Sequence, residues 1–311
     1  MFSRIKNFPH QFFFTGVSKF HIFWRGFQLL FYEIFGKKQI VSNVNGFSML
    51  LDLQTPGISK ALFVYGTREI LDTQIVQEVM RDNMDVIEVG GNIGYYTLLE
   101  ANGSAGTIYV FEPDPRNKPI LEKNIRMNNL QDRIKLYPWA VGDKSGNQQF
   151  YLGRKSNLSS TQPRFGTTTG GQLEVKSIKL DDFKPAYAAS FLRMDIEGAE
   201  DSVIRGMEKI LLQGKPFAFL IELHPTLYKT LNIPFVETLR HLKDIGFICR
   251  YAISAGVIEH PLLISKGYKP IRGVQETEKG HGLYEHIKMD DLIEMMDEKK
   301  KIVRSVLLVR E

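Results

Sequence analysis

From Asp85 onward, short runs fit for buried strands alternate with amphipathic helices, and that alternation leaves little choice of fold: a mostly parallel sheet with helices on both faces. Residues 86–89, 107–111, 134–141, 191–194 and 217–223 read as successive strands, with helices over 93–101, 116–128, 200–212 and 235–244. Residues 247–253 and 302–309 close the sheet as two further strands, antiparallel in part. The expected class is α/β, a Rossmann-like doubly wound sheet, with residues 85–311 as one domain. Ahead of it, β-rich runs at 39–44 and 47–53 flank Asn45-Gly46, a pair suited to a type I′ hairpin turn, and 67–80 reads as a helix. Residues 39–84 therefore form a lead-in to the core. Two stretches break the alternation, the polar loop 153–173 and the Gly-, Lys- and Glu-rich run 266–283.

Residues 1–38 differ from the rest in charge and in aromatic content. They hold Arg4, Lys6, Lys19, Arg25, Lys37 and Lys38 against Glu33 alone, a surplus of +5 that equals the net charge of the whole chain. Residues 39–311 thus balance, which argues against a nucleic-acid partner, because neutralising phosphates needs clustered Lys and Arg. Phe20, Phe23, Trp24, Phe27, Phe31, Ile34 and Phe35 recur at helical spacing and make one stripe. Lys19, Arg25, Gln28 and Glu33 interrupt it, so it is no transmembrane span, and no apolar block with a small-residue cleavage site marks a secretory signal. A basic, aromatic helix suits either peripheral contact with an anionic membrane or packing on the protein's own core or a second subunit, and both readings stay open. The single cysteine, Cys249, lies in an apolar run and excludes an internal disulfide. A cytoplasmic location is expected, peripheral on the inner face of the membrane if the arm binds lipid.

The strongest local signal is Glu88-Val-Gly90-Gly91-Asn92-Ile-Gly94, a glycine turn between a buried strand and a helix. Such a turn lets backbone approach a ligand, and Glu88 puts a carboxylate where a ligand's amino group sits. A dinucleotide fingerprint counted from Gly90 needs glycine at the third and sixth places, where Asn92 and Tyr95 stand, so NAD is disfavoured. Glu112 ends the next strand 18 residues beyond Gly94, at the place for an acid that accepts both hydroxyls of a ribose. Asp114 is the expected N-cap of the following helix, with Pro115 at its first position.

Taken in order, VIEVGGNIGYYT, FEPDP, KNIRMNN, AVGDKSG and RMDIEGAE resemble the FkbM family of S-adenosylmethionine-dependent methyltransferases over roughly residues 60–225. The resemblance implies S-adenosyl-L-methionine as cofactor, held by Glu88, Gly90, Gly91, Asn92, Gly94, Glu112 and Pro113, with Ala140 and the turn to Asp143 near the adenine. The family usually has Ala where Gly91 stands. It often has a Glu near Glu69, which then touches the cofactor's methionine end or simply pairs with a neighbouring cation. Asp195 and Glu197 flank Ile196 after the fourth strand and would share one side of an extended chain, unless they serve as a cap for the next helix. Asp195 also falls within reach of the cofactor, and Glu222 and His224 follow the fifth strand on the same sheet edge.

Asp195, Glu197 and His224 are the candidates for a general base. A metal held by Asp195, Glu197 and Glu222 is the weaker idea, and none is expected. The Asn/Asp-Pro-Pro-Tyr run of amino methylation is missing, and Cys249 is misplaced for cytosine chemistry. O-methylation of a hydroxyl on a sugar, a glycan or glycolipid, or a secondary metabolite is what the resemblance implies, with residues 153–171 as part of a lid on the acceptor side. The alternative is a membrane-associated scaffold that keeps the fold without turnover.

Overall fold

Val86, Ile87, Glu88 and Val89 are all buried, as a strand covered on both faces requires. The computed structural model describes residues 12–14, 18–54, 57–163, 171–276, 279–296 and 301–311. β1 (Phe12–Phe14) and α1 (Lys19–Ile34) come first, then the hairpin β2 (Gln39–Val44) and β3 (Phe47–Asp52) and the helices α2 (Ser59–Tyr65) and α3 (Ile70–Val79). The core runs through β4 (Val86–Val89), α4 (Tyr95–Gly103), β5 (Ile108–Phe111), α5 (Lys118–Met127) and β6 (Ile134–Tyr137). β7 (Ala140–Val141), β8 (Gly146–Tyr151) and β9 (Gln172–Ile178) make a separate small sheet. The core resumes with β10 (Phe191–Met194), α6 (Glu200–Arg205), α7 (Glu208–Leu211), β11 (Phe217–Glu222), α8 (Pro225–Thr230), α9 (Phe235–Asp244) and β12 (Ile248–Ser254). α10 (Pro261–Ser265), β13 (Arg272–Glu276), β14 (Lys279–Glu285), α11 (Met289–Met296) and β15 (Val303–Arg310) complete the described chain.

The ten-stranded sheet has the order β1-β13-β14-β12-β15-β11-β10-β4-β5-β6. β6, β5, β4, β10 and β11 are parallel, while β15 runs antiparallel between β11 and β12. The chain leaves β4 toward β5 on one side and returns to β10 on the other, so the strand order reverses at β4 and opens a crevice at the strands' carboxyl ends. In register, Val89 pairs with both Phe111 and Met194, which brings the ends of three strands to one level. One core lies on each face. Ile87, Val89 and Met194 join Val203, Leu239 and Leu292 on one side, and Val86, Val110 and Leu307 join Leu71, Leu98 and Leu121 on the other. Val44, Met49, Leu62 and Phe63 belong to that second core, so residues 39–84 are built into the sheet's packing.

Several expectations are corrected in detail. The strand read over 134–141 splits at Pro138, which has no N–H to donate to the ladder, and Ala140–Val141 crosses to the small sheet. The helix read over 200–212 breaks at Gly206, where a Cβ would lie 2.0 Å from the Gly142 carbonyl oxygen. Asp114 does not cap α5, which starts only at Lys118. Its carboxylate instead accepts from the Arg116 N–H at 2.9 Å and pairs with the Arg116 guanidinium. The run 266–283 contains the hairpin β13–β14, because its glycines clear room for Ile258: added Cβ atoms on Gly273, Gly280 and Gly282 would lie 2.6, 2.9 and 2.2 Å from Ile258 atoms.

No helix among the described residues is long and apolar enough to cross a membrane. α1 is capped by Ser18, whose hydroxyl accepts the His21 N–H at 3.1 Å, and packs on α2. Its aromatic stripe faces outward, away from the core.

Candidate active site

At the carboxyl ends of β4, β5 and β10 the chain leaves a cavity whose floor is the glycine turn. The turn is tight because its backbone must be. Gly90, Asn92 and Gly94 have φ of 90°, 50° and 95°, and a Cβ on Gly90 would lie 2.6 Å from the Asp195 carbonyl oxygen. The N–H groups of Gly90 and Gly91 donate to Phe111, which ties the turn to β5.

Glu112 folds back over this turn. Its carboxylate accepts the Asn92 N–H at 2.6 Å and the Asp114 N–H at 2.8 Å, with the Asn117 side chain as a further donor, and lines the cavity. Burial pushes its pKa up to about 7 against the help of those amides. Glu88, at the end of β4, accepts from the Thr97 hydroxyl and lies 3.7 Å from the Arg193 guanidinium. Burial dominates there too, and Glu88 sits at about 7 despite Arg193. Arg193 also reaches Asp195 at 3.7 Å and stacks on Tyr96 at 3.5 Å, so one buried cation spans two of the three acids that line the cavity.

The chain turns away immediately after β10. Asp195 and Glu197 are therefore not on a strand; Glu197 takes the left-handed conformation at φ 58°, followed by Gly198 at 101°. The turn nevertheless brings Asp195, Glu197 and His224 together, with one polar atom of each within 4.8 Å of the others. His224 Nδ1 lies 2.9 Å from the fully buried Glu200, and Nε2 lies 3.3 Å from Glu197. Burial works against a charge on this ring, but Glu200 and Glu197 outweigh it and push the pKa up to about 9. At neutral pH His224 is an imidazolium with both N–H groups engaged, so it has no lone pair to take a proton or bind a cation. Glu222 lies 3.5 Å from Lys301, and burial followed by Asp195 and Glu69 pushes it up to about 8.

Of the residues singled out in the sequence, Glu88, Gly90, Gly91, Asn92, Glu112, Pro113, Ala140 and Asp195 line the cavity. Gly94 stands behind it as the N-cap of α4. Glu197 and His224 lie beside Asp195 without lining the cavity, and neither does Glu69, which is ion-paired to Arg68 and accepts the Tyr96 hydroxyl at 2.8 Å. Arg68 itself lines it, as do Tyr96, Trp139 and Arg193, and the motif pattern gives none of the four a role. The polar loop contributes Ser156 to Thr161. It is pinned on one side by Ser159 donating to Asp114 at 2.7 Å and on the other by Ser160 donating to Ile196 and Glu197 carbonyls at 3.0 and 3.1 Å. Residues 164–170 of the expected lid lie outside the described residues. Cys249 is buried, and its thiol is pushed up to about 12, which makes it inert.

The lining fits S-adenosylmethionine. An acid stands ready for a diol at Glu112 and another for an ammonium at Glu88, and Phe111, Val141 and Phe150 offer an apolar wall. Three buried polar atoms of lining residues, Asn92 Oδ1, Arg68 Nε and Asn157 Oδ1, have no hydrogen-bond partner among the described residues, as expected of groups arranged for a ligand.

Comparison with known proteins agrees with this arrangement. The chain is 24% identical to Methyltransferase 1 of Beauveria bassiana (strain ARSEF 2860) over 149 residues, 41% of this chain and 59% of that relative, which is thus spanned for less than two thirds of its length. Among solved structures it is similar to methyltransferase FkbM from Methylobacillus flagellatus KT, at 14% identity and a TM-score of 0.36, covering 81% of this chain and 53% of that one. It is also similar to TYW2 of M. jannaschii in complex with AdoMet, at 12% identity and a TM-score of 0.40, covering 88% of each chain. The model of the methyltransferase FkbM domain matches residues 88–249, more than half of the sequence and every element that forms the floor of the cavity. The chain belongs to the FkbM methyltransferase family, and S-adenosyl-L-methionine is its cofactor.

Proposed function

We propose that this protein methylates a hydroxyl group of a sugar, a glycan or glycolipid, or a secondary metabolite. The observation that carries the reading is Asp195: alone among the three candidate bases it faces the cavity, and Arg193 holds it beside Glu88. Glu112 takes the ribose hydroxyls, Glu88 the ammonium, and Arg68, rather than Glu69, the carboxylate of the methionine end. When bound, the cofactor supplies an activated methyl carbon on a sulfonium. The protein's remaining work is to orient a hydroxyl, exclude water and accept one proton.

Asp195 is the acceptor of that proton. Glu197, His224 and Glu200 form an ion-paired chain that fixes the turn after β10, so the first two act as positioning residues. The Ser156 to Thr161 stretch covers the cavity and limits water. The charge balance of residues 39–311 supports a small-molecule or glycan acceptor over a nucleic acid. A cytoplasmic enzyme in peripheral contact with the inner membrane face through residues 1–38 accords with the exposed stripe on α1.

Asp195→Asn tests the assignment: turnover should fall by about 10² to 10⁴ while the affinity for S-adenosylhomocysteine stays near normal. Full turnover in Asp195→Asn would refute it.

A further inference from the structure

α1 inverts the usual amphipathic arrangement. Its inner side, Ile22, Arg25, Leu29 and Tyr32, meets the protein: Leu29 and Tyr32 pack on the core, and the Arg25 guanidinium lies 4.6 Å over the Phe63 ring. Its outer side carries Phe20, Phe23, Trp24, Phe27, Leu30, Phe31 and Ile34, which with Phe35 at the C-cap are 48 to 76% exposed. At 3.6 residues per turn these side chains fall within an arc of roughly 140°. They form a continuous aromatic ridge of a kind that soluble monomers rarely leave in water. Packing on the protein's own core, one of the two readings left by the sequence, does not use this ridge.

We infer that the outer face of α1 is a docking surface for an anionic lipid bilayer, with the helix lying in the plane of the interface. The choice of occupant rests on charge. Residues 1–38 hold the entire +5 of the chain, and Lys37 and Lys38 are exposed directly after the ridge. Stacking two copies ridge to ridge would bring two such arms together, whereas an anionic surface neutralises one. His21 and Arg25 line a groove with Ser18 and Asn43 on the protein-facing side of the helix, behind the ridge, so the rings enter the acyl boundary while the exposed Lys37 and Lys38 meet the headgroups. The 16-residue helix is about 24 Å long, enough to lie on a membrane and too charged to cross one. This deepens the peripheral-contact reading above and is independent of what the active site methylates.

The test uses the full chain and vesicles of phosphatidylcholine with or without phosphatidylglycerol. Flotation should occur with the anionic vesicles, weaken as salt is raised, and drop at least about tenfold in a Phe23→Glu/Phe27→Glu variant. Both substituted positions are exposed, so thermal stability and binding of S-adenosylhomocysteine, measured on the same samples, should not change. Trp24 fluorescence should shift to the blue on the anionic vesicles. Absence of flotation, equal flotation of both proteins, or a lipid-free dimer that the double variant dissociates would overturn the inference. Loss of S-adenosylhomocysteine binding by the wild type would count instead against the methyltransferase reading.

Discussion

Replacing Gly91 with alanine would put a methyl carbon 2.3 Å from Cγ1 of Val110 and 3.2 Å from Cδ2 of Leu121. Ordinary carbon contacts lie near 3.5 to 4.0 Å, so the first overlap exceeds an ångström. Val110 cannot easily yield: it is β-branched, fully buried, and opposite Glu88 in the register of β4 with β5. Overpacking of this kind costs about 1 to 3 kcal/mol. The backbone at Gly91 is not left-handed, so alanine also stiffens the unfolded chain, a gain of about 0.4 to 1 kcal/mol that offsets part of the cost. The expected net loss is roughly 1 to 2 kcal/mol, read as a lower urea midpoint at unchanged slope.

Val110→Ala alone removes two buried carbons and should cost about 1.5 to 3 kcal/mol. Combined with Gly91→Ala it supplies the space that the new methyl needs, so the double variant should be at least about 1 kcal/mol more stable than the sum of the single losses. Strict additivity, or a Gly91→Ala protein as stable as the wild type, would refute the reasoning. An alanine at this turn thus costs least where β5 offers a smaller neighbour.

The carboxylates predict a pH dependence of binding. Glu88 and Glu112 sit at about 7 in the free protein, and an ammonium and a diol favour their ionised forms, so binding lowers both pKa values. Affinity for S-adenosylhomocysteine should therefore fall as pH drops below about 7, by up to tenfold per unit for each acid, and level off above it. Calorimetry in buffers of different ionisation heat should show proton release, reduced in Glu88→Gln; a flat affinity from about pH 5.5 to 7.5 would count against the assignment. Arg68→Met should weaken S-adenosylhomocysteine at least about tenfold but leave methylthioadenosine, which lacks the amino-acid end, nearly unaffected. Equal losses for both ligands would show that Arg68 merely supports the fold.

The parts of this site that were legible in the sequence are those written locally. Gly90 to Gly94 and Glu112 each follow a buried strand directly, so strand pattern and turn chemistry together place them on one sheet edge. Arg68 and Trp139 were not legible because they reach the cavity from a loop before α3 and from the crossing between two sheets. Arg193 reads in sequence as one residue of a buried strand; only the pairing of β10 with β4 sets it beside Glu88. Pro138 in the middle of an apparent strand is the local sign of the point where the chain changes sheets. Composition misled over 266–283, where glycine served close packing against Ile258 and not a loop. The outward aromatic face of α1 was legible as a stripe, but spacing does not tell which side of a helix meets the protein.

The position of Asp195 depends on charges at the cavity wall and on others behind it. Beside Glu222, which pairs with Lys301, four more acids crowd the edge made by β4, β10 and β11, namely Glu88, Asp195, Glu197 and Glu200, and such a cluster would repel itself if left unpaired. Arg193 is shared between the first two, and His224, held as imidazolium, between the last two. Each cation is fixed by burial and by a second contact, Arg193 against the Tyr96 ring and His224 by its ion pair with fully buried Glu200. The two inner pairs thus act as a frame, and their cost in desolvation is offset only because every charge has a partner. At the cavity wall the frame leaves Asp195, beside Glu88, as a carboxylate whose paired cation stands 3.7 Å away, close enough to aim it and too far to hold its oxygen in a hydrogen bond. That geometry suits the task proposed for Asp195, to accept a proton from a hydroxyl, while His224 is held between Glu197 and Glu200.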